Sequence, residues 1–122
     1  MIIGLLQTLS EEFRTVLPES YLEWNNADQV VYPYLTYSVQ REAAERHSDT
    51  LTVDIDIFDN SSSYKGTYEV EEKLNEYFKW RRTITDDALF IWSFVRSQNI
   101  PTGDESIKRR QVTLSAKIDW RK

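Results

Sequence analysis

The apolar residues at the start of the chain follow the spacing of an amphipathic helix. One stripe contains Ile2, Leu6, Leu9, Phe13 and Val16. Residues three or four positions apart lie on the same helical face, so this spacing predicts a helix with one face packed on a core. Pro18 cannot continue a helix and marks its predicted end. Residues 19–29 are predicted to form a connecting loop.

From Val30 onward the apolar residues recur at every second position, which is the spacing of a half-buried β-strand. The first such segment is VVYPYLTYSVQRE. We expect it to lie at a sheet edge or to begin near Pro33, because proline cannot donate a ladder hydrogen bond. EAAERHSD is predicted to turn the chain back. The second segment, LTVDIDIF, alternates between inward Leu51, Val53, Ile55 and Ile57 and outward Thr52, Asp54 and Asp56.

The second half of the chain repeats this order of elements. A second helix is predicted over about Tyr64–Arg81, with Tyr64, Tyr68 or Val70, Leu74, Tyr77 and Phe78 as its buried stripe. RRTITDD closes this helix, and ALFIWSFVRS and QVTLSAKIDW are predicted strands.

Helix–strand–strand repeated twice favours an α+β fold in a single domain, residues 1–122. We expect a mainly antiparallel four-stranded sheet with two helices packed on one face. A circularly permuted ferredoxin-like sandwich has the same order of elements.

The connection between the last two strands, Ser97 to Arg110, is longer than most hairpin loops, which span about 2–5 residues. It either extends the hairpin into an arm or forms a mobile loop. It ends in a basic cluster, Lys108–Arg110, which we expect to face a partner because it lies where the connection enters the last strand. Long loops and arms often carry binding surfaces, although a tolerated insertion is also common.

The third predicted strand is apolar on both faces. Leu89, Ile91 and Val95 take one face, and Phe90, Trp92 and Phe94 take the other. A strand of this kind is normally buried on both faces. With helices on only one side of the sheet, a second copy or a partner would cover the other side. A loop or helix of the same chain is the alternative.

Composition narrows the possible functions. The chain contains no cysteine, which excludes disulfides, thiolate zinc sites and cysteine nucleophiles. Its net charge of −5 argues against nucleic acid as the main partner. The N-terminal residues do not have the pattern of a signal peptide, and no stretch approaches the roughly 18–20 apolar residues of a membrane span.

Three aspartates in DTLTVDIDIFDNSSSY raise the question of metal chemistry. Asp54 and Asp56, with Glu71 and Lys73, could form a magnesium-dependent nuclease site. The simpler interpretation is the polar face of a strand, with Lys117 as a cross-strand partner for the carboxylates. Asp59 is expected to organise the following turn or to cap the second helix. We therefore predict no catalytic residue, no metal site and no cofactor.

The segments VYPYLTYSV and LTVDIDIFDNSSSYKGTYEVEEKL, followed by a closing hairpin, resemble the tail-terminator proteins of long-tailed bacteriophages and prophages. These are also called tail-completion or tail-to-head joining proteins. The resemblance implies a non-enzymatic virion protein, assembled in the host cytoplasm, that forms a ring, expected to be a hexamer, at the head–tail junction. Its partners would be other copies of itself, the major tail-tube protein and a head-completion or connector protein.

The same resemblance implies that the ring ends polymerisation of the tail tube and offers an attachment surface to the head. No membrane contact is expected, and no nucleic acid beyond DNA that passes through the ring. A neck or other minor head–tail joining protein is an alternative, and a small ligand-binding module is another. The predicted assembly interface comprises Phe90, Trp92, Phe94, Ile100, Lys108, Arg109 and Arg110.

Overall fold

The computed structural model describes residues 2–121 as two helices and one curled six-stranded sheet. The helices are α1 (Ile2–Val16) and α2 (Lys65–Phe78), and the strands are β1 (Ser20–Leu22), β2 (Tyr34–Glu45), β3 (Ser48–Asp59), β4 (Arg82–Ile84), β5 (Ala88–Ile100) and β6 (Lys108–Trp120). The strand order is β1-β2-β3-β6-β5-β4, and only β1 and β2 pair in parallel. The α+β class is confirmed, whereas the predicted number of four strands is wrong.

The two extra strands are short segments at the edges of the sheet. β1 lies in the segment that was predicted to be a loop, and β4 lies in the segment predicted to close the second helix. Each contains three residues, too few for an alternating pattern to be visible. β1 is a strand because tertiary packing places it beside β2, with Ser20 opposite Leu35, whereas β4 forms a short hairpin with the adjacent β5, with Arg82 opposite Ile91.

The four long strands have the order β2-β3-β6-β5, with every neighbouring pair antiparallel. A ferredoxin-like βαββαβ chain would give this order if its first strand were moved to the C-terminus. Both helices pack on one face of the sheet, where their apolar stripes bury Leu5, Leu9 and Phe13 of α1 and Val70 and Leu74 of α2. The predicted placement of both helices on one face is therefore confirmed.

A chain of aromatic contacts crosses the core from one helix to the other and to both halves of the sheet. Phe13 lies with its ring centroid 4.6 Å from Tyr37 and 5.2 Å from Phe78, and Phe78 lies 4.7 Å from Trp92. Large aromatic side chains bury the most apolar area per residue, so these contacts contribute strongly to the packing of α1 and α2.

The ends of the helices follow local chemistry. α1 stops before Pro18, and the Ser20 hydroxyl donates to the carbonyl oxygen of Leu17 at 2.6 Å. α2 is shorter than predicted, because Trp80 adopts a left-handed backbone with φ of 59° and Arg82 already belongs to β4. On α2, Val70 is buried and Tyr68 is exposed.

Asp59 lies against the first turn of α2 but does not cap it. The residue at the cap position is Tyr64, whose side chain makes no capping hydrogen bond. A Cβ added at Gly66 would lie 2.0 Å from Oδ2 of Asp59, so a larger residue at this position would require the carboxylate to move. The predicted capping role is therefore wrong. The carboxylate is nevertheless placed where the helix dipole favours negative charge.

The connection Ser97–Arg110 is half strand and half loop, so the hairpin extends into an arm that carries a loop at its tip. β5 continues to Ile100 and β6 begins at Lys108, so the loop is confined to residues 101–107. The arm keeps a regular register, with Asn99 opposite Arg110 and Ile100 opposite Arg109. Within residues 2–121, neither helix is long and apolar enough to span a membrane.

Candidate assembly surfaces

Two of the predicted interface residues lie inside the protein. Phe90 and Trp92 are 1% and 2% exposed, and they face the helices within the core. The indole N–H of Trp92 donates to Oγ1 of Thr83 at 3.1 Å. The prediction is therefore wrong for these two side chains, because the helices of the same chain cover them. Leu89 and Ile91, on the opposite face, are only half-buried.

Phe94 and Ile100 are accessible, but on different faces. Phe94 pairs with Leu114 and therefore points to the helical side of the sheet, where it is 44% exposed. A bulge follows at Val95, between Phe94 and Arg96. Ile100 pairs with Arg109 on the open face and is half-buried.

The three basic residues at the start of β6 do not form one patch. Arg109 points to the open face, where its Nε lies 2.9 Å from Oδ1 of Asp56. Lys108 donates to the carbonyl oxygen of Glu105 in the loop and lies over the ring of Tyr64. Arg110 points to the helical side and is buried. Alternation along a strand separates neighbouring side chains in this way, so a common basic contact surface is not formed.

Arg110 is the centre of a network that holds the arm against α2. Its Nε donates to Oε1 of Glu71, its Nη1 to Oδ1 of Asn99 at 2.8 Å, and its Nη2 to Oγ of Ser97 at 2.8 Å. The Ser97 hydroxyl donates to Oε2 of Glu71 at 3.1 Å, and the guanidinium lies 4.3 Å from the ring centroid of Tyr68. Arg110 is thus a positioning residue for the arm.

The alternative nuclease site is not brought together by the fold. Asp54 accepts a hydrogen bond from Oγ1 of Thr113 at 2.8 Å, and Asp56 is paired with Arg109. Both lie on the open face, whereas Glu71 lies on the helical side. Among residues 2–121, no three acidic or histidine side chains are grouped as metal ligands. The expected partner Lys117 is also wrong, since it lies beside Asp119, at 3.9 Å.

A second network, which the sequence patterns did not indicate, is centred on the buried carboxylate of Glu12. Oε2 accepts from Nε of Arg81 at 2.7 Å and from Oγ1 of Thr83 at 2.8 Å. Oε1 accepts from Nη2 of Arg81 and from the hydroxyl of Tyr77, both at 3.0 Å. The one available signal was a glutamate on the apolar side of α1, which needs a partner if it is buried.

The pKa values of this network follow from its contacts. Burial alone would raise the pKa of Glu12, but the hydrogen bonds from Arg81, Thr83 and Tyr77 together lower it below its ordinary value of 4.5. The hydrogen bond to Glu12 raises the pKa of Arg81. The network therefore holds a charged pair that links α1 to the segment between α2 and β4.

Exposed apolar residues gather at the two edges of the sheet. The β1 edge surface comprises Ile2, Ile3, Leu22 and Trp24, and the β5 edge surface comprises Trp80, Ile84, Phe94 and Val95. Trp80 is 85% exposed and Trp24 is 69% exposed. Such large exposed tryptophans are uncommon on the surface of a monomer and are enriched at protein interfaces.

The two edges also leave strand backbone unpaired. β4 pairs only with residues 89–91 of β5, and β1 pairs only with residues 35–37 of β2. Within residues 2–121, no strand covers the outer side of Ser93–Ile100 or of Val39–Glu45. Open edges of this kind are sites where another chain can attach, and bulges such as the one at Val95 limit regular strand pairing there.

Comparison with known proteins shows a shared fold. No protein-family model matches this sequence, and no curated protein matches it. Among solved structures, a chain in the virion of a native gene transfer agent (GTA) particle is similar, with a TM-score of 0.69. The alignment covers 87% of this chain and 83% of that chain at 6% sequence identity. At this low sequence identity, the comparison shows that the two chains share a fold.

Proposed function

We propose that this chain is a structural component of a phage-like virion particle. The observation that carries the proposal is the likeness in fold, over most of both chains, to a chain in the virion of a gene transfer agent particle. Two exposed apolar edge surfaces support an assembling protein, because an isolated domain gains nothing from leaving Trp24 and Trp80 in water.

The more specific proposal is a tail terminator. In this role the chain forms a ring at the head-proximal end of a tail tube, stops tube polymerisation and presents a surface to the head connector. The motifs of β2 and β3 that resemble tail terminators support it, and so does the presence of two separate apolar surfaces at opposite edges of the sheet. A ring with cyclic symmetry is built from heterologous contacts, in which one surface meets a different one.

The proposal also assigns no enzymatic role to the chain. The side chains that a nuclease would need are divided between the two faces of the sheet, with Asp54 and Asp56 on one and Glu71 on the other. Each of these carboxylates already has a hydrogen-bonding partner in the same chain. We place the protein in the virion, at the head–tail junction, after assembly in the host cytoplasm.

A tube-end assay tests this proposal. The major tail-tube protein from the same genome is polymerised alone and with this chain, and the tubes are imaged by electron microscopy. We expect shorter tubes that carry one added ring at a single end, because a terminator blocks further addition there. The number of subunits in the ring is read from end views.

Two results would count against the proposal. Tubes of unchanged length without added density at either end contradict the tail-terminator role. Binding to a purified head connector, but not to the tube, points to a neck or other minor head–tail joining protein.

A further inference from the structure

We propose that Trp80 of one copy docks into the cleft between α1 and the β1 segment of a second copy. This contact rests on the proposed function, since it gives the assembling protein a specific interface. It joins the β5 edge surface of one copy to the β1 edge surface of the next.

The projecting side chain is held by its surroundings in a strained conformation. Trp80 has a left-handed backbone, which is unfavourable for a residue with a Cβ. The backbone N–H of Lys79 bonds to Asn75 at 2.8 Å before it, and Arg81 after it is fixed by Glu12. Trp80 is thereby directed outward, next to Phe94, and not into the core.

The receiving cleft has a volume of about 350 Å³, which is at the lower end of the roughly 300–1,000 Å³ range for small-molecule pockets. Its walls combine apolar side chains, Ile3, Leu6, Leu22 and Trp24, with polar ones, among them Ser10 and Asn26. An indole ring needs an apolar cavity with an acceptor for its N–H, and the Ser10 hydroxyl is one candidate acceptor. Arg14 also lines the cleft and can stack on the face of an incoming tryptophan.

Charge favours the same pairing. Residues 79–82 contain three basic residues and no acidic one, and of these Lys79 and Arg82 are exposed. Residues 19–28 contain three acidic residues and no basic one, and Glu23 and Asp28 are exposed. Each tryptophan is therefore flanked by charges opposite to those of the other. Complementary charges steer two surfaces together and fix their register.

Backbone strain marks both surfaces. Among residues 2–121, two residues other than glycine adopt a positive φ, Glu23 at 67° and Trp80 at 59°. Glu23 directly precedes Trp24, which lines the cleft, and Trp80 is the projecting tryptophan itself. Strained conformations of this kind concentrate at binding sites, where the surrounding structure maintains them.

The position of the two surfaces identifies the occupant as a second copy. β1 and β4 are the outermost strands on opposite sides of the sheet, so each copy carries one projecting tryptophan and one cleft. A contact between them leaves the other surface of each copy free for the next one. Such a heterologous contact closes into a ring or extends into a filament. The bulge at Val95 favours side-chain docking over continuous strand pairing.

Light scattering after size-exclusion chromatography tests the contact with the full chain and three variants. The wild-type protein is expected to assemble as its concentration rises, and Trp80→Ala is expected to need at least about 30-fold more protein, as for an interface hot spot. Trp24→Ala should show a similar loss. Val31→Ala removes an exposed apolar side chain that belongs to neither edge surface and serves as the control, which should assemble normally.

A mixing experiment sharpens the test. Trp80→Ala keeps an intact cleft and Trp24→Ala keeps the projecting tryptophan, so a mixture of the two should form 1:1 dimers that cannot grow.

A charge reversal tests the electrostatic part of the contact. The single variant Arg82→Glu should assemble more weakly than the wild-type protein, and adding Glu23→Arg to the same chain should restore assembly.

The outcomes separate this contact from the proposed function. Normal assembly of Trp80→Ala overturns the contact and leaves a ring-forming protein in place. A wild-type protein that stays monomeric at every concentration also overturns the contact, and the tube-end assay then decides the function by itself. A mixture of the two variants that remains monomeric shows that the two tryptophans do not meet.

Discussion

Glu12 and Arg110 each organise a polar network between a helix and the sheet, but the charge at the centre is opposite. At Glu12 a carboxylate accepts four hydrogen bonds from Tyr77, Arg81 and Thr83. At Arg110 a guanidinium donates to Glu71, Ser97 and Asn99. The first network joins both helices to β4 inside the packed core. The second holds an arm that extends from it.

This difference predicts different consequences when each network is broken. The elements around Glu12 also share the aromatic core, so they are expected to lose stability together. The arm around Arg110 can open while the rest of the domain stays folded, because its outer side carries no further strand within residues 2–121. Loss of a buried charge therefore destabilises the whole domain when the elements around it also share the core. It destabilises one segment when that segment has few other contacts.

The largest effect is expected for Glu12→Ala. It leaves Arg81 and Thr83 without their acceptor, and we expect a loss of about 2–3 kcal/mol in the free energy of unfolding, since Arg81 is partly exposed and can be hydrated. Urea denaturation measures it. The double variant Glu12→Ala/Arg81→Ala should lose less than the sum of the two single variants. Additive losses would show that the pair is not coupled.

A smaller and local effect is expected for Arg110→Met, which keeps the apolar stem but removes the hydrogen bonds to the arm. We expect about 1–2 kcal/mol, with amide hydrogen exchange accelerated at Ser97–Ile100 more than in the core strands. Arg109→Met is the matched control on the opposite face, where a partly exposed pair with Asp56 contributes at most about 1 kcal/mol. If Arg110→Met accelerated amide exchange in β3 as much as in the arm, a local role for Arg110 would be contradicted.

The smallest effect is expected in the pH dependence of the unfolding free energy that Glu12 causes. Its pKa in the folded protein lies below the ordinary value of 4.5, so its stabilising contribution is complete above about pH 4.5 and is lost as pH falls through the folded pKa. The difference in unfolding free energy between wild type and Glu12→Gln should therefore shrink between about pH 6 and about pH 3. A difference that is constant over this range would show that Glu12 is not the titrating group.

Much of the fold follows from local patterns. The alternation in LTVDIDIF predicts the buried face of β3, and the spacing of Leu9 and Phe13 predicts the buried face of α1. For the candidate interface, the sequence indicated a long hairpin connection and an accessible Phe94. It did not indicate Trp80 or Trp24, because an exposed tryptophan in an irregular segment has no periodicity that would separate it from a buried one.

The sequence by itself determined the two helices, the four long strands and the absence of cysteine chemistry, since these depend on composition and on periodicity within a few residues. Only the tertiary structure decided the rest. It paired three-residue β1 with β2, turned Phe90 and Trp92 toward the helices and buried Glu12 beside Arg81. The physical reason is that burial and ion pairing depend on neighbours far apart in the chain, which local spacing does not specify.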